Sequence, residues 1–472
     1  MSRSVDQKYA SPLVNDLASP FDSEPPPTNV RYRIVALSIS MSLILYLDRN
    51  ALGPITSSIV NDLGITNGQF GIGTWAFFFA YALLQVPAGM LADRFGARRM
   101  LTIYVIAWSL ATIALGLVPG LVGLVVLRGA MGAAQAGAYP AAGGFLKRWA
   151  NPTARAKANS FVSAGGRLGA VIAFALTALI SIQFKEYLGF AQGWRGTLVL
   201  YGVLGICWAA FFWWYFRDQP SEHPGCNTTE MAIIGSDPPV AKPQPLPVLA
   251  MLSNRNVWLL SFSGFLVNVG WIFLATWQTV YILETFSPQL QSLFPHITSE
   301  AGKRDFKEWA AGVATAAPLL AGMCGGIAGG IAADMFRRRL GPIWGRRVPG
   351  LLAGSLAACG YLLCHLVTDV WIFVGLMLFI SFTIDFGLGS LWATYQDIGG
   401  RHVGSVLGFA NMWGNLGAAI CGAYYGHLAD KAQLPLVFTI SAVALLLMSA
   451  SWLLVNPTIT LPSTDKADAA TG

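Results

Sequence analysis

Long apolar runs separated by short polar segments dominate the chain. Twelve runs are long enough to cross a bilayer as helices of about 20 residues, with approximate limits 32–60, 70–92, 100–118, 121–146, 158–182, 194–216, 256–284, 309–334, 348–367, 370–394, 403–428 and 433–455. A polar, proline-rich segment divides these runs six and six. The pattern predicts an all-α membrane protein with 12 transmembrane helices in two six-helix bundles.

The polar segments define the predicted domain boundaries. We expect an N-terminal tail at 1–31, a first bundle at 32–216, a linker at 217–255, a second bundle at 256–455 and a C-terminal tail at 456–472. Both tails are polar and are expected to be disordered. No short apolar segment precedes the first run, so we expect no signal peptide.

The distribution of lysine and arginine predicts the orientation in the membrane. Of the 30 basic residues, 21 fall on the side that carries both termini, six fall on the opposite side, and three lie within apolar runs. Short cytoplasmic loops are enriched in Lys and Arg. The sequence therefore predicts that both termini are cytoplasmic.

Composition supports a lipid-embedded chain and argues against several function classes. The chain is 54% hydrophobic and 11% charged, whereas a globular domain is about a quarter charged. The net charge of +7 lies mainly in short loops beside apolar runs, which indicates lipid headgroups and not nucleic acid as its partner. The six cysteines form no CxxC pair, and no phosphate-cradling loop or nucleophile elbow occurs. We therefore expect no metal, no cofactor and no enzymatic activity.

Ionisable residues inside the apolar runs are the strongest candidates for function. Asp48 and Arg49 lie within the first run, where charged side chains are costly and face protein or a watery cavity. Arg49 lies about 24 Å along an ideal helix from Arg33, and Arg128 about 28 Å from Lys147, so both guanidinium groups could reach a similar depth. Two such groups could bind a carboxylate. A structural ion pair that locks helices together is the alternative.

The two halves repeat a motif that contains an acid followed by arginines. Gly89 to Arg99 follows the second run, and Gly329 to Arg339 follows the eighth run. An acid at a helix end could pair with a neighbouring helix terminus and break that contact when the halves move. We interpret the motif as a conformational latch; positive charge that only sets topology is the alternative. The latch candidates are Asp93, Arg94, Arg98, Asp334 and Arg338.

These motifs resemble those of a known transporter family. The segment 89–99 is similar to the signature loop of the major facilitator superfamily. Residues 46–50, Trp75 with 81–87, and 128–140 resemble its anion:cation symporter branch, which includes hexuronate, glucarate and galactonate porters and sialic-acid and vesicular-glutamate carriers. The resemblance implies a two-bundle carrier of organic anions, often proton-driven, that works by alternating access. We expect a monomer in the inner membrane that transports a sugar acid.

The resemblance also implies roles for individual residues. Arg49 and Arg128 match positions that bind a substrate carboxylate, and Tyr46 and Tyr81 match positions that line the cavity. Two further positions, Trp392 and Asn411, resemble those that touch the hydroxyl end of the substrate. Packing between helices is the alternative for the aromatic residues.

Gln135 departs from the family pattern, because many proton-coupled relatives carry glutamate there. An amide can hydrogen-bond a substrate, but it cannot carry a proton. Asp48 and Asp385 are then the candidates for proton coupling, while sodium coupling, uncoupled transport and a non-transporting sensor stay open. Arg167, within the fifth run, could pair with Asp48 or contact the ligand.

Overall fold

The structure, a computed structural model, describes residues 25–150, 155–187, 192–235, 248–293, 295, 299–399 and 403–461. The first half contains α1 (Val30–Asn50), α2 (Thr56–Leu63), α3 (Asn67–Phe95), α4 (Ala97–Gly116), α5 (Leu121–Gln135), α6 (Ala138–Trp149), α7 (Arg155–Tyr187) and α8 (Gly193–Tyr215). The rest contains α9 (Thr228–Ile234), α10 (Val248–Ser253), α11 (Arg255–Ile272), α12 (Gln278–Thr285), α13 (Ser287–Ser292), α14 (Glu300–Leu363), α15 (Val370–Gly399), α16 (Val403–Asp430) and α17 (Leu436–Trp452). Within these ranges the chain is all-helical, as predicted.

Nine helical segments in the described part of the chain are long and apolar enough to cross a membrane. One of them, Gly302–Leu366, has 65 residues, about three times what one crossing needs. It is interrupted at Gly341, where φ is 79°, so its two arms can cross separately. Val403–Asp430 and Leu436–Trp452 add two further long helices. The multi-pass fold is confirmed, whereas the total of 12 stays a prediction.

The helices form two bundles. Helices α1 and α3–α8 pack against one another in the first bundle, and α11 and α14–α17 do so in the second. The main contacts between bundles join α3 to α16 and α7 to α14. A site between the bundles is therefore lined by helices from both halves of the chain.

Part of the predicted linker folds against the first bundle. Helix α9 begins after Asn227, whose side chain caps it by accepting from the Glu230 N–H. The buried Glu230 carboxylate accepts from the backbone N–H groups of Asn29 and Arg31 and pairs with the Arg31 guanidinium at 3.1 Å. Residues 217–235 therefore have a defined structure, while 236–247 lie outside the described residues.

Polar contacts join the bundles at one end, which we call the closed end. There Asp430 accepts hydrogen bonds from the backbone N–H groups of Asn67 and Gly68, at 2.7 and 2.8 Å. Ser58 donates to the Glu308 carboxylate at 2.7 Å, and Lys185 pairs with Asp305 at 2.9 Å. In the predicted topology the closed end is extracellular.

Candidate anion-binding site

A break in the first transmembrane helix positions Arg49. Helix α1 ends at Asn50 and α2 begins at Thr56, because Pro54 cannot donate a helical hydrogen bond and Gly53 lies before it. The space at Gly53 is also needed, since a Cβ there would lie 2.8 Å from Phe174. Arg49 is in the last turn of α1, where the helix dipole favours a cation.

Two further helix interruptions lie close to Arg49. Helix α5 ends at Gln135, and α6 begins at Ala138. Between α11 and α12 the chain forms a π-helical segment, Phe273–Trp277, a feature that is frequent at functional sites. Backbone irregularity of this kind is tolerated in membranes where it is buried in protein or lines a cavity.

Arg49 is held by an amide and by aromatic rings. Its Nε donates to Gln135 Oε1 at 3.1 Å. Its guanidinium carbon lies 4.6 Å from the Tyr81 ring centre, 4.9 Å from that of Tyr46 and 5.3 Å from that of Phe77. Arg49 is 8% exposed, and its Nη2 is buried with no hydrogen-bond partner in the part of the chain that the structure describes. Arg49 therefore keeps an unused donor inside the protein.

Arg128 shares the Phe77 ring with Arg49. Its guanidinium carbon lies 4.5 Å from the centre of that ring, and Nη1 is 3.8 Å from the Met131 sulfur. Helix α5 reaches α3 because Gly132 lacks a Cβ, which would collide with the Phe77 carbonyl. Among the described residues, no carboxylate lies within ion-pair distance of either arginine. Two buried cations therefore flank one aromatic ring.

Asp48 does not neutralise Arg49. Its side chain is fully buried, and among the described residues no cationic side chain lies within ion-pair distance of its carboxylate. It lies beside Trp108 of α4 and Tyr201 of α8, inside the first bundle. The structural pairing of Asp48 with Arg49 or Arg167, considered from the sequence, is therefore not what the structure contains.

Arg167 pairs instead with Asp385, which links α7 of the first bundle to α15 of the second. The close approach depends on Gly322 of α14, where a Cβ would collide with the Asp385 carboxylate. The sequence suggested Asp385 as a proton carrier and left the partner of Arg167 open. The structure brings these two candidates together.

The two residues predicted to touch the hydroxyl end of the substrate contact residues other than the two arginines. Asn411 donates to the Gln85 side chain at 2.9 Å, between α16 and α3. Trp392 is 50% exposed and lies edge-on to Tyr395, with ring centres 6.4 Å apart. Neither contact involves Arg49 or Arg128, so a substrate role for these two residues stays a prediction.

The latch candidates of the first half contact their own bundle. Arg98 donates to the carbonyl of Trp213 at 2.6 Å and lies 4.4 Å from the centre of its ring. Arg94 lies over the Phe95 ring at 5.3 Å. The side chain of Asp93 lies outside the described residues.

In the second half, Asp397 is the acid that arginines in and near the motif contact. Arg346 pairs with Asp397 at 2.8 Å, and Arg337 lies 3.7 Å from it. Asp334 and Arg338 are exposed. A latch between the bundles therefore stays a prediction for another conformation.

The space beside the two arginines is small in this conformation. The volume that the centre of a water molecule can occupy there is about 10 Å³, so the cavity has room for about one water. The residues that line it are Arg49, Asn50, Leu52, Gly53, Phe70, Thr74, Phe78, Arg128, Ala275 and Thr276. Sequence reasoning missed Phe77 and Thr276. Phe77 could have been found, because it precedes Tyr81 by one helical turn; Thr276 depends on the π-helical segment.

Two bundles of membrane-length apolar helices that enclose buried cations define a multi-pass membrane protein. The family model of the Major Facilitator Superfamily matches residues 39–422, so the chain belongs to that superfamily. This confirms the resemblance seen in the sequence.

Individual relatives are transporters of anions. The chain is 26% identical over 442 residues to the probable sulfoacetate transporter SauU of Cupriavidus necator, across 92% of this chain and 96% of that protein. It is 26% identical over 423 residues to the probable galactarate/D-glucarate transporter GudP of Bacillus subtilis, across 85% and 86%. A crystal structure of a bacterial homolog to the human lysosomal transporter Spinster, inward-facing and unoccupied, has a TM-score of 0.70 at 18% identity and covers 91% of this chain and 97% of that one. The last likeness shows the fold alone.

Proposed function

We propose that this transporter moves a small organic anion across the inner membrane by alternating access, with sugar acids such as hexuronates, aldonates or aldarates as its substrate class. The observation that carries the proposal is that Arg49 and Arg128 are buried beside the same Phe77 ring, with no carboxylate of the described residues within ion-pair distance of either. A carboxylate could accept charge-assisted hydrogen bonds from both guanidinium groups. The names of the relatives, which include sulfoacetate and aldarate transporters, support an anionic substrate.

The electrostatics of the pair favour an anion over a cation. The guanidinium carbons of Arg49 and Arg128 lie 5.3 and 4.5 Å from the Phe77 ring centre, so they are at most about 10 Å apart. Two like charges at that distance repel by at least roughly 1.7 kcal/mol at an effective dielectric constant of 20. A bound carboxylate would offset this repulsion, and the unused Nη2 of Arg49 would gain a partner.

The closed end supports the alternating-access part of the proposal. Contacts from Asp430, Glu308 and Asp305 hold the bundles together there. If that end is extracellular, this conformation is closed to the outside, and rocking of one bundle against the other would open it. The substrate would then be exposed to each side in turn.

We assign proton coupling, with Asp48 as the first candidate and Asp385 as the second. Asp48 is buried with no cationic partner among the described residues, and an uncompensated buried carboxylate is costly unless it takes up a proton. Asp385 already has a cationic partner, and the Gln135 amide does not ionise, so it cannot carry a proton. Asp48→Asn should therefore retain substrate exchange and lose uptake driven by a proton gradient.

Uptake of labelled sugar acids into proteoliposomes tests the proposal. Arg49→Ala and Arg128→Ala should each lower apparent affinity by about 10- to 100-fold, since a hydrogen bond to a charged group contributes roughly 1.5–3 kcal/mol. Arg33→Ala is the matched control, because Arg33 is an exposed arginine of the same helix α1. Wild-type uptake by both site variants would remove the proposal, and binding without counterflow would favour a sensor.

A further inference from the structure

The ion pair between Arg167 and Asp385 is not used by the carboxylate site proposed above. It joins one bundle to the other, with side-chain exposures of 27% for Arg167 and 3% for Asp385. Asp385 is therefore buried, while about a quarter of the arginine side chain is accessible.

The accessible part of Arg167 has hydrogen-bond donors to offer. A guanidinium carries five N–H groups, and within the described ranges Asp385 is the hydrogen-bond acceptor that Arg167 reaches, through Nη1. Helices α14 and α15 of the second bundle flank the guanidinium through Gly322 and Asp385. The guanidinium therefore lies where the two bundles meet.

Arg167 also lies near the site of Arg49. Gly166, the neighbour of Arg167 in the chain, packs against Tyr46 and Tyr139, because a Cβ there would lie 2.8 Å from the Tyr46 ring and 2.9 Å from the Tyr139 hydroxyl. The centre of the Tyr46 ring lies 4.9 Å from the Arg49 guanidinium carbon. Tyr46 is thus within reach of two separate cationic positions.

We propose that Arg167 is a second anion subsite, which binds the distal acid group of a dianionic substrate in competition with Asp385. This inference rests on the proposed function and narrows its substrate class to diacids. The first acid group binds Arg49 and Arg128, and the second binds those N–H groups of Arg167 that have no acceptor among the described residues. The terminal hydroxyl of a monoacid gains only a neutral hydrogen bond at this position, whereas a second carboxylate gains the stronger charge-assisted hydrogen bonds.

The test compares D-glucarate with D-gluconate, which share a six-carbon chain and differ by one terminal carboxylate. Dissociation constants are measured for both acids by calorimetry on the purified full chain. Wild-type protein should prefer glucarate by about tenfold or more. Arg167→Gln should abolish that preference and leave the gluconate affinity within about threefold of wild type. A change below threefold counts as no effect beside the expected tenfold one.

Two further variants separate ligand binding from folding. Asp385→Asn removes the competing charge and should raise the preference for glucarate. The double variant Arg167→Gln/Asp385→Asn replaces the ion pair by two amides, and it should also lose the preference. The double variant still tests whether Arg167 causes the preference for glucarate if the Arg167→Gln variant does not fold.

The outcomes distinguish the two proposals. If wild-type protein binds both acids equally, or if the preference survives in the double variant, the diacid subsite is overturned while the proposed function stands. A preference that does not rise in Asp385→Asn overturns the competition with Asp385. If the wild-type protein binds neither acid, and Arg49→Ala leaves uptake of labelled sugar acids unchanged, the sugar-acid function itself fails, and the subsite fails with it.

Discussion

Asp430 caps a helix of the opposite bundle. The carboxylate lies at the end of α16 and accepts from the first two backbone N–H groups of α3, at 2.7 and 2.8 Å. The first N–H groups of a helix have no intrahelical partner and favour a negative charge. Asp430→Asn should therefore weaken the closed end without changing the interior of either bundle.

The size of the effect follows from the two bonds. Asparagine has one acceptor oxygen and no charge, so one hydrogen bond is lost and the other is weakened. A hydrogen bond to a charged group contributes roughly 1.5–3 kcal/mol, and the exposed position of this contact reduces that to about 1–1.5 kcal/mol. The population closed at this end should fall relative to the open one by about five- to twelvefold.

Electron–electron distance measurements between spin labels can detect this shift. Labels at the exposed positions Asn61 and Lys431 would lie on opposite sides of the closed end, in a background that lacks the native cysteines. Asp369→Asn is the matched control, because Asp369 caps α15 within its own bundle, with bonds of 2.9 and 3.1 Å. It should lower thermal stability and leave the distances unchanged. An identical distance distribution in Asp430→Asn would refute the reasoning.

Two other substitutions test the arginine cluster. Gly132→Ala should lower the free energy of unfolding by roughly 1–3 kcal/mol through overpacking and weaken anion binding, because the new Cβ would collide with the Phe77 carbonyl. Thermal unfolding and calorimetry measure the two effects. The control Gly143→Ala, whose Cβ would meet nothing within 4 Å, should be neutral, and equal effects of the two variants would contradict the packing argument. Gln135→Glu places a carboxylate where the amide now accepts a hydrogen bond from Arg49 at 3.1 Å. Anion affinity should fall by about tenfold, and it should fall further as pH rises, because the ionised acid competes with the substrate for Arg49. An affinity that does not change with pH would exclude that competition.

The fold was predictable because membrane helices follow hydropathy and length alone. The runs predicted for the first bundle match its helices to within a few residues at most ends, and the family followed from local motifs. The break after Asn50 was visible in principle, since Gly53 and Pro54 are helix breakers. The capped helix α9 was also visible, as Asn227 followed by Glu230 is a helix-start pattern, yet the surrounding prolines favoured a linker.

The site was less predictable because its partners are distant in sequence. The ion pair of Arg167 and Asp385 joins residues 218 positions apart, and a single sequence contains no signal for such a pairing. Asp48 and Arg49 are neighbours in the chain, but their side chains point in different directions from a helix, which is why they do not pair. Depth along the helix placed Arg49 and Arg128 at a similar level, but it could not show the aromatic ring that they share.

The junction between α3 and α4 consists of a single residue, Gly96, with φ of 86°, and the arms of α14 meet in the same manner at Gly341, with φ of 79°. Because each turn is a single residue, the helices on its two sides cannot slide past each other, and we expect each pair to move together. A fluorescent protein inserted at either turn should therefore block transport.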